Sequence, residues 1–271
     1  MTEKLSSKWS DLGVRTLSAA ILVPLVLGIV WRGGFLFTGF VVALGILMAI
    51  EWVKISFGGN KVQLLIHEVA AASVIMGSIK LSVLALVILS GLSMFTQRKD
   101  GLSFWKSIGV FYIGLPVLAL SLLRDDTEFG LTAVVWCMVI VWSADVTAYF
   151  FGRIIGGPKL APRISPKKTW AGMLGATVGA VLASWLLTQY SHMNVWPLAG
   201  LAAAFALVEQ GGDIFESAFK RHYGVKDSGH LIPGHGGVLD RIDGLIAVVL
   251  TAAIIGFIHN PLSPAAGLLH W

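Results

Sequence analysis

Cysteine is nearly absent from this chain, and charge is scarce. Cys137 is the only cysteine in 271 residues and lies inside an apolar run, which excludes a disulfide framework and a cysteine-ligated metal. Charged residues make up 13% of the sequence, against about 25% in soluble domains. There is no G-x-x-x-x-G-K-[ST] phosphate loop, no H-x-x-x-H zinc spacing and no Ser-His-Asp arrangement. What replaces these is hydrocarbon. Hydrophobic residues reach 56%, in runs long enough to cross a bilayer, which points to a polytopic membrane protein. The net charge of +5 does not call for nucleic acid as a partner, because cytoplasmic loops of membrane proteins are rich in Lys and Arg. The first apolar run is too long for a signal-peptide core, and no small-residue cleavage site follows it.

Apolar runs of crossing length, about 17–25 residues, occur near 14–31, 34–53, 103–123, 130–151, 169–190, 195–212 and 240–258. Residues 62–95 read either as one kinked helix or as two short spans, 64–79 and 81–96, with Lys80 at the turn. Charge decides between them. With two spans the total is nine, and a cytoplasmic N-terminus leaves only Arg32, Lys80 and Arg124 outside, with 17 of the 20 Lys and Arg inside. With one span the later loops reverse, leaving six inside and thirteen outside. The positive-inside rule favours nine. The expected fold is an all-α polytopic transmembrane helix bundle of about nine spans, N-terminus cytoplasmic and C-terminus periplasmic. N-terminal transmembrane helices would occupy 1–130 and a C-terminal catalytic region 131–271, its polar stretches 152–170 and 217–243 facing the cytoplasm.

The little polar chemistry present is gathered together. "SAFKRHYGVKDSGHLIPGHGGVLDRID", residues 217–243, holds seven charged residues, three histidines and five glycines. Asp145, Glu209, Asp213 and Glu216 stand in or at the ends of apolar runs, where a charge costs at least a few kcal/mol and usually faces a polar cavity. Asp213 and Ser217 are four apart, and Asp240 and Asp243 three apart, so each pair shares a helix face. If those helices are neighbours, three carboxylates converge on one hard cation, and oxygen-only ligation suits Mg²⁺. The alternative is pairing with Arg221, Arg241 or Lys168 that holds the bundle together, and for Asp240 a helix N-cap. Lys167 and Lys168, with Lys220, Arg221 and Lys226, are candidate phosphate binders set among glycines that let backbone N–H groups approach an anion. The alternative for each is a positive-inside anchor. His235 is suited to orienting a carboxylate or donating to phosphate. Glu51 reads either as functional or as interfacial. Acids for a metal, bases for phosphate and a membrane setting point to phosphoryl or nucleotidyl transfer to or from a lipid, with the nucleotide and the lipid open.

Ser217, Lys220, Arg221, Lys226, Asp227, Gly229, Pro233, His235, Gly236, Gly237, Asp240, Arg241 and Asp243 fall in register with a pattern of the phosphatidate cytidylyltransferase (CDP-diacylglycerol synthase) family, which the chain resembles here. "SADVTAYFFGRIIG", with Asp145, Ala148, Tyr149 and Gly152, is similar to a further family segment. So are "ISPKKTWAG", with Ser165, Lys167, Lys168, Thr169 and Gly172, and "GGDIFES". The similarity covers about 142–245. It implies CTP plus phosphatidate giving CDP-diacylglycerol plus pyrophosphate, in phospholipid biosynthesis. It also implies Mg²⁺, with a monovalent cation such as K⁺ beside it, and a homodimer among the lipids of a bacterial inner membrane. The family's acidic metal positions fall on Asp213 and Asp240, with Asp243 beside them. Lys220, Arg221 and Arg241 would act as catalytic cations. Ser165, Lys167, Lys168, Thr169, Ser217, Lys226, Asp227, His235, Gly236, Gly237 and Asp145 would line the substrates. Two other readings stand beside it. A CTP-dependent lipid kinase needs the same metal and bases, and a cation-coupled transporter would put its carboxylates near mid-membrane within an internal repeat.

Overall fold

The computed structural model describes residues 16, 18, 20–97, 103–189, 193–231 and 236–271. Nearly all of it is helix: α1 (Ala20–Arg32), α2 (Gly34–Phe57), α3 (Lys61–Ala72), α4 (Ile79–Thr96), α5 (Phe104–Arg124), α6 (Gly130–Ile154), α7 (Trp170–Thr188), α8 (Val195–His222), α9 (Leu239–His259) and a short α10 (Pro264–Leu269). Among the described residues seven helices, α2 and α4 to α9, are long and apolar enough to cross a membrane. α1 falls below that length over its described residues, and α3 continues only into a 3₁₀ turn, Ser73–Met76. Large apolar side chains such as Phe35, Ile88, Leu174 and Ile258 stand exposed on the outside of the bundle, as helices facing lipid require. The chain is an all-α polytopic membrane protein.

Residues 62–95 form two helical pieces. Gly77 takes φ +66°, a left-handed conformation that most side chains avoid, and ends the 3₁₀ turn before α4 begins. Lys80 therefore lies in the first turn of α4. At the end of α5, Arg124 donates from Nε to Val30 O (2.7 Å) and from Nη2 to Trp31 O (3.0 Å), closing the last turn of α1.

α6 and α7 pack more extensively than any other pair. A Cβ on Gly175 would come 2.5 Å from Phe151 Cβ, and one on Gly179 would overlap Thr147 Oγ1. Small residues let helices approach where lipid supplies no hydrophobic drive for association. Gly179→Leu is therefore expected to wedge the pair apart and lower the thermal midpoint of detergent-purified protein. An unchanged midpoint would mean that this contact does not hold the bundle.

Between these helices lies a hairpin that the sequence did not announce. β1 (Lys159–Ala161) pairs antiparallel with β2 (Ser165–Thr169), Lys159 opposite Thr169 and Ala161 opposite Ser165. Two prolines and the consecutive lysines mask any strand alternation. Thr169 ends β2 and caps α7, its Oγ1 accepting from Gly172 N at 3.0 Å. The hairpin is thus tied to α7, and its lysines are carried over α6.

α8 runs to His222, past the apolar run that ends at 212. Phe215 and Phe219 keep an apolar face against aromatic rings of α2 and α5, so the helix continues while its other face turns polar. The polar stretch 217–243 is helix to 222, then a connecting segment, then the start of α9 at Leu239.

Candidate active site

The end of α8 supplies one wall of the site. Asp213, Glu216 and Lys220 follow at three- and four-residue spacing, which puts them on one face. Lys220 Nζ lies 2.8 Å from Glu216 Oε2 and 2.7 Å from Asp240 Oδ1, joining α8 to α9. Lys168 Nζ, from β2, lies 2.6 Å from Asp213 Oδ2 and 2.8 Å from Gln210 Oε1. Ser217 Oγ donates to Asp213 Oδ1 at 3.2 Å. Asp243 sits one turn into α9, where its backbone meets α8 at Gly212. The helices come this close because Gly212 faces α9: a Cβ there would be 2.7 Å from Asp243 O and 2.8 Å from Ala247 Cβ.

Glu51 reaches the site from α2. Its side chain is buried, 2% exposed. It accepts from Val238 N (2.9 Å), Leu239 N (2.9 Å) and Ser228 Oγ (3.0 Å). A carboxylate here satisfies N–H groups that have no partner within the first turn of α9 and complements the positive end of the helix. Asp240 adds its own local contacts, accepting from Ser228 N (2.9 Å) and Gly237 N (3.0 Å). Asp240 is not the N-cap that the sequence allowed, since Val238 holds that position; it lies in the first turn and ties down the segment before the helix together with its ion pair. A Cβ on Gly229 would come 2.7 Å from Glu51 Oε1, and one on Gly237 would overlap Ser228 Oγ. These two glycines are small because Glu51 and Ser228 fill the space.

Two openings flank α8. One is a polar cleft of about 360 Å³ bordered by Asp145, Tyr149, Arg153, Lys167, Lys168 and Asp213. The other is an apolar groove of about 310 Å³ between α5, α8 and α9, bordered by Phe111, Tyr112, Pro116, Gly211 and Phe215, with Asp243 its one acidic residue. A third cleft, about 420 Å³ around Ser121 and Asp125, has no basic residue on its walls.

The structure therefore gathers Asp213, Ser217, Lys220, Asp240, Asp243 and Lys168, with Asp145 and Lys167 on the polar cleft. Thr169 is buried and occupied with capping, and Ser165 stands at the start of β2. Arg221 is exposed and ties the end of α8 to the hairpin turn, donating to Val225 O (3.0 Å) and Ile164 O (3.4 Å). Arg241 is exposed on the first turn of α9, and Lys226 and Asp227 are exposed beyond α8. Gly236, at φ +89°, lies beside Asp240 Oδ2. His235 lies outside the described residues. Of the partners expected for the acids, Lys168 pairs with Asp213, whereas Lys220 takes the place of Arg221 and Arg241: among the described residues the ion pairs are those of Lys168 and Lys220. Gln210 was missed, because an uncharged amide at membrane depth draws less notice than an acid. It is 4% exposed and links Lys168 to Glu209, donating to Glu209 Oε2 at 2.8 Å.

Among the described residues no three His, Cys, Asp or Glu side chains meet as a ready metal cage. The donors still fit a hard cation in kind. They are all oxygens, carried on the adjoining ends of α8 and α9.

A membrane-embedded helical bundle with a lysine–carboxylate centre between a polar basic cleft and an apolar groove has the form of an enzyme that joins a water-soluble anion to a lipid. The chain matches the cytidylyltransferase family over residues 13–259 and belongs to it. It is 40% identical over 267 residues to the phosphatidate cytidylyltransferase of Brucella suis biovar 1 (strain 1330), covering 95% of this chain and 98% of that one. The protein of the same name from Brucella abortus biovar 1 (strain 9-941) is 40% identical over 258 residues, covering 92% and 94%. That of Staphylococcus epidermidis (strain ATCC 35984) is 34% identical over 256 residues, covering 87% and 95%. The relationship thus extends into the N-terminal helices, which the sequence resemblance at 142–245 did not include.

Proposed function

We propose that the chain transfers the cytidylyl group of CTP to phosphatidate, releasing pyrophosphate and forming CDP-diacylglycerol for phospholipid synthesis. One observation carries this reading: the carboxylate–lysine wall of α8 and α9 has a basic cleft on one side and an apolar groove on the other. The cleft suits a polyanionic nucleotide and the groove suits a lipid.

An oxygen of the lipid phosphate attacks the α-phosphorus of CTP in line, the bond from that phosphorus to the bridging oxygen breaks, and pyrophosphate leaves. The lipid phosphate is already anionic near pH 7, so no strong base is needed. Lys168 and Lys167 receive triphosphate oxygens in the cleft, with Lys168 exchanging Asp213 for phosphate. Lys220 holds Asp240 and Glu216 at fixed separation, and Arg221 and Arg241 add positive charge at the open end. Positioning and charge neutralisation do most of the work in such chemistry. Mg²⁺ held by Asp213 and Asp240, with Asp243 beside them, would supply Lewis-acid neutralisation of the triphosphate. The active site faces the cytoplasm of a bacterial inner membrane, where CTP is available. The chain crosses nine times with its N-terminus inside, as the Lys and Arg distribution favours, and works as a homodimer.

The test uses purified protein in detergent with phosphatidate, Mg²⁺ and CTP labelled at the α- or the γ-phosphate. Label from the α position entering the lipid, with pyrophosphate released, is the expected result. Label from the γ position would make the chain a lipid kinase, and neither label in folded protein would return it to the transporters. Lys168→Ala is expected to raise the KM for CTP about tenfold, the scale of one charge-assisted hydrogen bond, while membrane insertion is unchanged. An unaltered KM for CTP would leave Lys168 as an anchor only.

A further inference from the structure

The hydroxyl of Tyr112 is buried and has no hydrogen-bond partner among the described residues. A phenolic O–H normally finds a partner when buried. Its absence is not a matter of loose packing. The ring is clamped between Trp52 (centroids 4.9 Å apart) and Phe215 (5.4 Å apart), so its direction is set by α2 and α8. It lines the apolar groove, on whose wall Asp243 also stands.

We infer that Tyr112 is a substrate-binding residue on the lipid side of the site. Its hydroxyl donates to the phosphate of the phosphatidate whose acyl chain lies in the groove between α5, α8 and α9. The inference rests on the cytidylyl-transfer reading and adds to it a route and a donor. The groove's walls are mostly apolar side chains with two glycines, and its one acid, Asp243, is at the reactive end. That is the order of chemistry along a phospholipid, chain first and phosphate last. Carboxylates alone would repel an arriving phosphate, and a neutral O–H is a donor that needs no counter-charge. A nucleotide would find no basic group among the groove's walls.

Two substitutions separate this role from a structural one. Tyr112→Phe removes the hydroxyl and keeps the ring between Trp52 and Phe215. The KM for phosphatidate in mixed micelles is expected to rise about tenfold, the scale of a lost hydrogen bond to a charged group. The KM for CTP and the thermal midpoint should stay at wild-type values. Gly211→Leu fills the groove: a Cβ at Gly211 meets nothing within 4 Å, and the residue is not at positive φ. That variant is expected to fold, to keep the CTP-induced rise in thermal midpoint, and to lose phosphatidate turnover.

Unchanged phosphatidate kinetics in both variants would overturn the inference. So would a Tyr112→Phe protein whose two KM values rise together as its midpoint falls, the mark of a packing role. The wild-type reaction distinguishes the two levels of failure. If wild-type protein moves no α-label from CTP to phosphatidate, the proposed function itself fails. If it does and the variants match it, only the groove and Tyr112 assignments fail.

Discussion

Asp240→Asn is expected to lower kcat/KM by at least about a hundredfold, the scale for losing one preorganised electrostatic group, while folded protein still accumulates. Both carboxylate oxygens are in use. Oδ1 accepts from Lys220 Nζ at 2.7 Å, and Oδ2 accepts from Ser228 N at 2.9 Å and Gly237 N at 3.0 Å. Asparagine keeps the shape and one acceptor. Its amide nitrogen must then face either an ammonium group or two backbone N–H groups, so at least one donor contact is lost and the charge with it. Lys220 still has Glu216 at 2.8 Å, so its charge is not stranded and the fold survives. What disappears is the fixed negative position between α8 and α9 that the proposed chemistry requires. Activity and the thermal midpoint are measured on the same preparation. Near wild-type turnover would remove Asp240 from the reacting centre, and an aggregated protein would show its role to be structural.

The helices were legible because a bilayer demands long apolar runs, and this sequence has few charges to obscure them. The break within 62–95 was legible from charge alone, and Gly77 is its physical cause. The acids were legible for a related reason: Asp213 or Asp240 beside apolar segments has to meet a partner. For Asp213 that partner, Lys168, was among the candidates, and for Asp240 it was not. Arg241, next to Asp240 in sequence, stands exposed, and Lys220, twenty residues distant, arrives through the packing of α8 on α9. The hairpin was hidden because its strands are three and five residues long and carry no alternation. Glu51 was visible as an isolated acid, yet its role depends on Val238, Leu239 and Ser228, more than 170 residues away in the chain. No periodicity encodes such a contact. Gly237 was read as part of a phosphate-binding nest, and the contacts give it, like Gly229, a further reason for being small.

That reason yields the last test. Glu51→Ala leaves Val238 N, Leu239 N and Ser228 Oγ without their acceptor, and a buried orphan donor costs roughly 1–3 kcal/mol. The expected outcome is a clear fall in the thermal midpoint and loss of most activity, because the segment holding Asp240 loses its anchor to α2. A midpoint fall alone would also follow from any core truncation, so Gly229 supplies the discriminating measurement. A Cβ at Gly229 meets Glu51 atoms at 2.7, 3.2 and 3.3 Å, and the residue is not at positive φ. Gly229→Ala should therefore destabilise the wild-type protein by forcing Glu51 off its donors. In the Glu51→Ala background those three nearest atoms are gone, and the same substitution should cost much less. Contacting residues couple in this way, whereas independent sites add. Additive losses in the double variant would sink the account of Glu51 as the clamp on α9. Strong coupling, with activity falling in step with the loss of that clamp, would show that a helix of the N-terminal half sets the geometry of the site.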